Sequence, residues 1–299
     1  MHARPILRAL RPKQWTKNAV VLAALVFAMG DSTQALGHTF LLQALIRALA
    51  ATLLFCMASS AVYLMNDLRD VELDRAHPVK RLRPLAAGLI KPGTARALSL
   101  LLLGLALLGA ALLDRDFLSV LAGYLVLQAA YTFGLKRIAL LDIFVIATGF
   151  VLRALAGGVV IHVPISPWLL VCTLLLALFL ALCKRRHELV AMTGAEGVTR
   201  PSLSQYDEGL LNALIPLTGA ATLVSYSVYT LWPETVDKFG TTHLAFTIPM
   251  VAFGLFRYLD LVYRHEQGGR PEQLLLTDPP LLVTVALYGA TVITILLLH

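Results

Sequence analysis

The stretch LLFCMASSAVYLMNDLRDVELDRAHPVKRLRP, Leu53 to Pro84, joins two kinds of sequence. Its first half belongs to an apolar run long enough to cross a bilayer, and its second half carries three aspartates followed by a group of cations. At about 100° per residue, Asn66, Asp70, Asp74 and Asp67 fall at about 0°, 40°, 80° and 100° around a helix. All four project from one face, while Glu72 points away. An aspartate at the centre of a span costs about 2.5–3.5 kcal/mol on insertion scales, so such a cluster belongs at the end of one. That placement leaves the mutual repulsion of three carboxylates, which a divalent cation relieves. Magnesium takes one or two carboxylates, retained waters and phosphate oxygens, and an asparagine adds a neutral oxygen beside them. Pro78 stops the helix, and Lys80, Arg81 and Arg83 follow as cations suited to phosphate or to lipid headgroups. The bland alternative is a solvated acidic helix end paired with neighbouring arginines.

Outward from this stretch, the apolar theme covers almost the whole chain. The 299 residues are 58% hydrophobic and only 14% charged, against roughly 25% charged in soluble domains. The patterning predicts an all-α polytopic membrane protein, residues 1–299 forming one integral membrane domain. Nine helices are expected over 18–36, 40–66, 95–113, 117–135, 140–161, 167–183, 209–231, 242–263 and 280–298. Loops 67–94 and 184–208 connect them at one face. No cleavable signal peptide is visible after the basic start MHARPILRALRPKQWTKN. Cys56, Cys172 and Cys183 lie in apolar runs without paired spacing and read as small hydrophobes.

Charge then predicts the orientation. Of 25 Lys and Arg residues, 21 fall on one side of this arrangement. Arg115 and Lys238 fall on the other, and Arg47 and Arg153 lie within spans. The positive-inside bias predicts a cytoplasmic N-terminus, an outside C-terminus, and the acidic stretch at the cytoplasmic face of the cell membrane. The same bias explains the formal charge of +7, and no nucleic-acid motif is present.

The motif Asn-Asp-x-x-Asp-x-x-x-Asp after the second of nine spans resembles the UbiA superfamily of intramembrane prenyltransferases. The further stretches RPKQWTKN, YTFGLKR, GFVLRALAGG, CKRRHE and FRYL…GGRPEQLLLTDPPL resemble its decaprenyl-phosphate phosphoribosyltransferase branch. The resemblance covers about Arg11 to Leu282. Typical prenyltransferases of the superfamily carry a second aspartate-rich motif after helix 6, whereas this chain has Lys184, Arg185, Arg186, His187 and a single acid, Glu188. A cationic cluster binds phosphate directly rather than through metal.

The resemblance implies transfer of 5-phosphoribosyl from phosphoribosyl diphosphate to a polyprenyl phosphate, with release of diphosphate. Mg2+ on Asn66, Asp70 and Asp74 would stabilise the departing diphosphate, with Asp67, Asp70 and Asp74 as the catalytic acids. Lys184, Arg185 and Arg186 would hold the ribose 5-phosphate. Lys80, Arg81 and Arg83 would contact phosphate oxygens, as would Tyr131 and Lys136 at the end of helix 4. Lys17 and Asn18 would meet the lipid phosphate. The product would feed lipid-linked arabinofuranose donors for cell-surface glycans, and a homo-oligomer is compatible with such a bundle.

Other residues read as structural. His77 and His187 suit hydrogen bonding better than base catalysis, because the phosphate nucleophile is already anionic. Arg153 should face the bundle interior, paired with an acid such as Asp142. Gly149, Gly157 and Gly158 should permit close helix packing, and Asp278 before Pro279 should cap a helix. Two rival readings share these features. One is a prenyltransferase using a prenyl diphosphate and an aromatic acceptor, disfavoured by the missing second acidic motif. The other is a transporter of an anionic solute, disfavoured by charge confined to one face and by the lack of an inverted repeat.

Overall fold

The computed structural model describes residues 3–30, 38–192, 202–265, 268–269 and 271–298. Every regular element among them is helical, as apolar chains require where no water can satisfy the backbone. A short helix, α1 (Ala3–Leu10), precedes a 3-10 stretch over Pro12–Leu22, which runs on as α2 (Ala23–Met29). Then come α3 (His38–Arg69), α4 (Val71–Ala76), α5 (Pro92–Leu113), α6 (Arg115–Phe133) and α7 (Leu141–Ile161). The second half holds α8 (Pro167–Met192), α9 (Glu208–Leu231), α10 (Pro233–Phe239), α11 (Ile248–Tyr263), α12 (Pro271–Thr277) and α13 (Pro279–Leu298).

Among the described residues, eight helices have the length and hydropathy to cross a membrane. The expected first span, 18–36, is placed differently. Helical structure there begins at Pro12, is wound as 3-10 to Leu22, and ends at Met29, while 31–36 lie outside the described residues. The sixth expected span, 167–183, is α8 and runs to Met192, so Lys184 to Glu188 stand on a helix and not in a loop. The remainder of that expected loop over 193–201 lies outside the described residues.

Capping explains several boundaries. The Asp114 carboxylate accepts from the amides of Asp116 and Phe117, both at 2.9 Å, and starts α6. Asp207 does the same for α9 through Gly209 at 2.9 Å and Leu210 at 3.0 Å, which holds its carboxyl below the usual range. Asp278 caps α13, its carboxylate accepting from the Leu281 amide at 3.0 Å.

Helix α7 is the axis of the bundle. Burial covers 56% of its membrane-length window, against 17–28% for the other seven. One apolar core joins α7 to α8, α9 and α11, and a second joins it to α2, α3 and α6. Small residues let it sit there. A Cβ on Gly157 would collide with the Val21 carbonyl oxygen, and one on Gly158 with the Ile165 side chain. At the end remote from the aspartates, Arg47 of α3 donates to the Val160 carbonyl at 2.6 Å and to Asp114 at 3.1 Å. Arg47 thus ties α3 to the start of α6 and the end of α7.

Candidate active site

The acidic face forms where α3 gives way to α4. The Asp70 amide still bonds the Asn66 carbonyl at 2.9 Å, and the Asp74 amide bonds the Asp70 carbonyl at 2.8 Å. Helical spacing therefore persists through the break. Asp67 and Asp74 are buried, Asp70 is half-buried, and Glu72 turns outward onto Arg75.

Cations from three other segments meet these carboxylates. Arg11 Nη2 donates to Asp67 Oδ1 at 2.5 Å, and Arg83 Nη1 donates to the same oxygen at 3.1 Å. The same Arg83 nitrogen reaches Asp74 Oδ2 at 2.6 Å. Lys136 Nζ donates to both oxygens of Asp70, at 2.8 and 3.0 Å. Asn66 Oδ1 accepts from the Thr132 hydroxyl at 2.7 Å. Three acids thus face three cations at the mouth of a membrane bundle.

Sequence reasoning counted Arg11 as an orientation charge and as the head of the stretch RPKQWTKN, with no role at the acidic face. The structure makes it part of the site. Its backbone adopts the left-handed conformation (φ 55°, ψ 58°), which is uncommon for a residue with a Cβ. Two bonds enforce that bend: the Trp15 indole donates to Ser60 Oγ, and Ser60 Oγ donates to the Leu10 carbonyl, each at 3.0 Å. The guanidinium then lies over the Tyr63 ring, 4.9 Å from its centroid. The available sequence signal was the position of Arg11 directly before Pro12, where a chain leaving one helix enters another.

The turn after α4 is built on His77. Its Nδ1 accepts from the amides of Val79 and Lys80 at 3.2 and 3.3 Å. Burial, then the charge of Lys80, pulls its pKa below the ordinary imidazole value. His77 is therefore a neutral acceptor holding the turn that carries Lys80, Arg81 and Arg83. Lys80 and Arg81 are exposed, and Lys17, Tyr131 and Lys184 are half-buried.

Three residues expected to contact phosphate are held by protein partners here. Arg185 is only 1% exposed, with its Nε on Asp142 at 2.9 Å and its Nη1 on Glu188. Arg186 donates to Asn212 at 2.7 Å and to Glu208 at 3.3 Å, and covers the Tyr263 ring. Both guanidinium groups hold helices together. Asn18 is likewise 1% exposed: its amide nitrogen reaches Cys56 and Ser59 at 3.2 and 3.3 Å, and its oxygen accepts from Arg153 Nε at 2.8 Å. A side chain so enclosed does not reach a lipid phosphate. The expected Arg153–Asp142 pair is also absent. Arg153 instead meets neutral oxygens of Asn18, Gly149 and Tyr124, and Asp142 belongs to Arg185.

Donor chemistry gives the test of a metal. Among the described residues, no three His, Cys, Asp or Glu side chains form a ready-made metal cluster. Asn66, Asp70 and Asp74 supply hard oxygens on one helical face, a set too small to enclose an ion. Such a set suits magnesium, which completes its shell with water and substrate phosphate. The residues present fit the ion.

Residues 19–277 match the UbiA prenyltransferase family. The chain is 35% identical to the decaprenyl-phosphate phosphoribosyltransferase of Mycolicibacterium smegmatis, over 91% of this chain and 86% of that one. It is 36% identical to the Corynebacterium glutamicum protein of the same name, over 93% and 82% of the two chains. Among solved structures, a UbiA homologue from Archaeoglobus fulgidus bound to GPP and Mg2+ aligns with a TM-score of 0.71. That alignment covers 98% of this chain and 99% of that one at 19% identity, a likeness of fold.

Proposed function

The chain belongs to the UbiA prenyltransferase family, and from that premise we propose that it transfers 5-phosphoribosyl from phosphoribosyl diphosphate to a polyprenyl phosphate. The observation that carries this reading is the 35–36% identity, along nearly the whole chain, to proteins named for that activity. The acidic face supports it, because its oxygens and its ring of cations suit a polyanionic donor. The enzyme is a multi-pass membrane protein. We place the site at the cytoplasmic face of the cell membrane, where a soluble donor is available, on the strength of the charge bias along the sequence.

In the reaction, an oxygen of the lipid phosphate attacks the anomeric carbon, a C–O bond forms, and the bond to the diphosphate breaks. The nucleophile is already ionised, so no strong base is required. Asn66, Asp70 and Asp74 would hold Mg2+, which supplies Lewis-acid stabilisation of the leaving diphosphate. The protein's own cations do the remaining electrostatic work. Lys136, Arg83 and Arg11 wait on carboxylates and exchange them for phosphate oxygens when the donor arrives, so the polyanion meets donors already gathered for it. Guanidinium groups suit phosphate because they present two parallel N–H donors. We assign Lys184, Lys80, Arg81, Lys17 and Tyr131 to the second phosphate and the lipid headgroup. Asp67 holds Arg11 and Arg83 side by side until the donor arrives.

The test is transfer of radiolabel from phosphoribosyl diphosphate to a polyprenyl phosphate in detergent, with and without Mg2+. Labelled lipid that needs Mg2+ and disappears in Asp70→Asn is expected. No transfer by folded protein, across several lipid lengths, overturns the assignment, and prenyl diphosphates with aromatic acceptors become the next substrates.

A further inference from the structure

The corner between α6 and α7 is strained, and a separate segment holds it. After the 3-10 turn Leu135–Arg137 the backbone reverses at Leu140, with φ 66° and ψ −48°. The Leu141 amide bonds the Ala139 carbonyl at 2.8 Å, closing a γ-turn of the rare, positive-φ kind. A leucine keeps such a conformation only where its surroundings over-determine it.

Those surroundings come from residues 202–206, on the far side of α8 in sequence. Gln205 grips the corner at two points: its Nε2 donates to the Arg137 carbonyl at 2.9 Å, and its Oε1 accepts from the Ala139 amide at 3.2 Å. The Tyr206 hydroxyl accepts from the Leu140 amide at 2.8 Å and donates to Asp142 Oδ1 at 2.7 Å. Ser202 donates to Asp142 Oδ2 at 3.1 Å, beside Arg185. Burial, then the bond to Asp142, pushes the Tyr206 phenol well up, so the hydroxyl remains a donor.

The residue presented by this corner is Lys136, whose ammonium holds Asp70. Gln205 itself is exposed and adds little to the core. Its two side-chain bonds both fall on backbone within three residues of Lys136. We propose that Gln205 and Tyr206 are positioning residues: they strap the strained corner so that Lys136 is aimed at Asp70 and at the diphosphate of the donor. This rests on the transferase reading for the identity of the donor, and on geometry alone for the strap.

The experiment uses the full-length protein in detergent. It measures the Kd of inorganic diphosphate with Mg2+ by calorimetry, and KM and kcat for phosphoribosyl diphosphate. Gln205→Ala is expected to raise both Kd and KM by about tenfold, in line with the loss of an outer-shell partner, with kcat within about twofold. Gln205→Glu keeps the acceptor for Ala139 and should restore part of the loss. In a Lys136→Gln background, Gln205→Ala should add nothing. An unchanged Kd in Gln205→Ala overturns the proposal, as does a full effect that persists without Lys136. Tyr206→Phe is a second arm, judged by the same ratio wherever the variant folds. Wild type that binds Mg-diphosphate but transfers nothing from phosphoribosyl diphosphate sinks the assigned reaction, and the strap is still judged by Kd. Wild type that fails to bind diphosphate overturns the strap.

Discussion

Lys136 Nζ sits 2.8 Å from one carboxylate oxygen of Asp70 and 3.0 Å from the other, joining residues 66 positions apart in the chain. The pair links the end of α3 to the corner after α6, and it places a cation proposed to bind phosphate on a proposed metal ligand. In that arrangement the cation neutralises the carboxylate. The two residues should therefore fail differently.

Asp70→Asn removes the charge that would bind magnesium and leaves Lys136 without its partner. Loss of transfer by at least about a hundredfold in kcat is expected, the scale on which a central electrostatic element acts. Lys136→Gln should chiefly raise KM for the donor, since magnesium would still be held. Steady-state kinetics on the two variants separates these outcomes. Equal losses in kcat would contradict the division of roles.

Arg11 supplies a second contrast. Its guanidinium shares Asp67 Oδ1 with Arg83, and its left-handed backbone fixes where it points. Arg11→Lys keeps the charge and loses the fork, so KM for the donor should rise about tenfold while the fold survives. Thermal unfolding alongside kinetics checks this. A melting temperature unchanged together with an unchanged KM would remove Arg11 from the site.

The sequence made the acidic face legible because helical spacing depends on local geometry alone, and the backbone ladder continues across Asp70. Partners were a different matter. That Asp142 would take Arg185 rather than Arg153 depends on how α7 packs against α8, and no spacing within either helix encodes it. Arg185 was expected to touch phosphate because its cationic cluster stands where the family carries a second acidic motif, and Asn18 because it closes the basic entry to the first span. Both are enclosed, since the 3-10 stretch and α8 bury their polar edges against other helices. Arg11 was given no site role for the opposite reason: although it heads RPKQWTKN, a basic residue before the first span looks like any other orientation charge.

The corrected role of Arg185 has its own consequence. Asp142 is fully buried and accepts from Arg185, Ser202 and Tyr206. Arg185→Ala leaves that carboxylate without its cation, a change that costs about 3–5 kcal/mol in comparable buried pairs. A fall in melting temperature, with little folded protein, is expected. Lys184→Ala should instead fold normally and bind donor more weakly. If Arg185→Ala melts like wild type and loses only donor affinity, the phosphate role first expected of it is restored.

The last prediction concerns pH and the turn that carries Lys80 to Arg83. His77 Nδ1 accepts from two amides, and a protonated ring cannot accept there. Its pKa is lowered in the folded chain, chiefly by burial and then by Lys80, so folding favours the neutral ring. The sign follows from linkage: the contribution is fully present above the ordinary imidazole value of about 6.5, and it is lost as pH falls through the lowered folded value. Amide hydrogen exchange at Val79 and Lys80, corrected for intrinsic rates, should show protection falling as pH drops below the ordinary imidazole range. Donor affinity should fall with it, because Arg83 follows directly on this turn. His77→Gln, which cannot titrate, should make the protection independent of pH. Protection that stays flat in the wild type from about pH 8 to pH 5 would show that some other contact holds the turn.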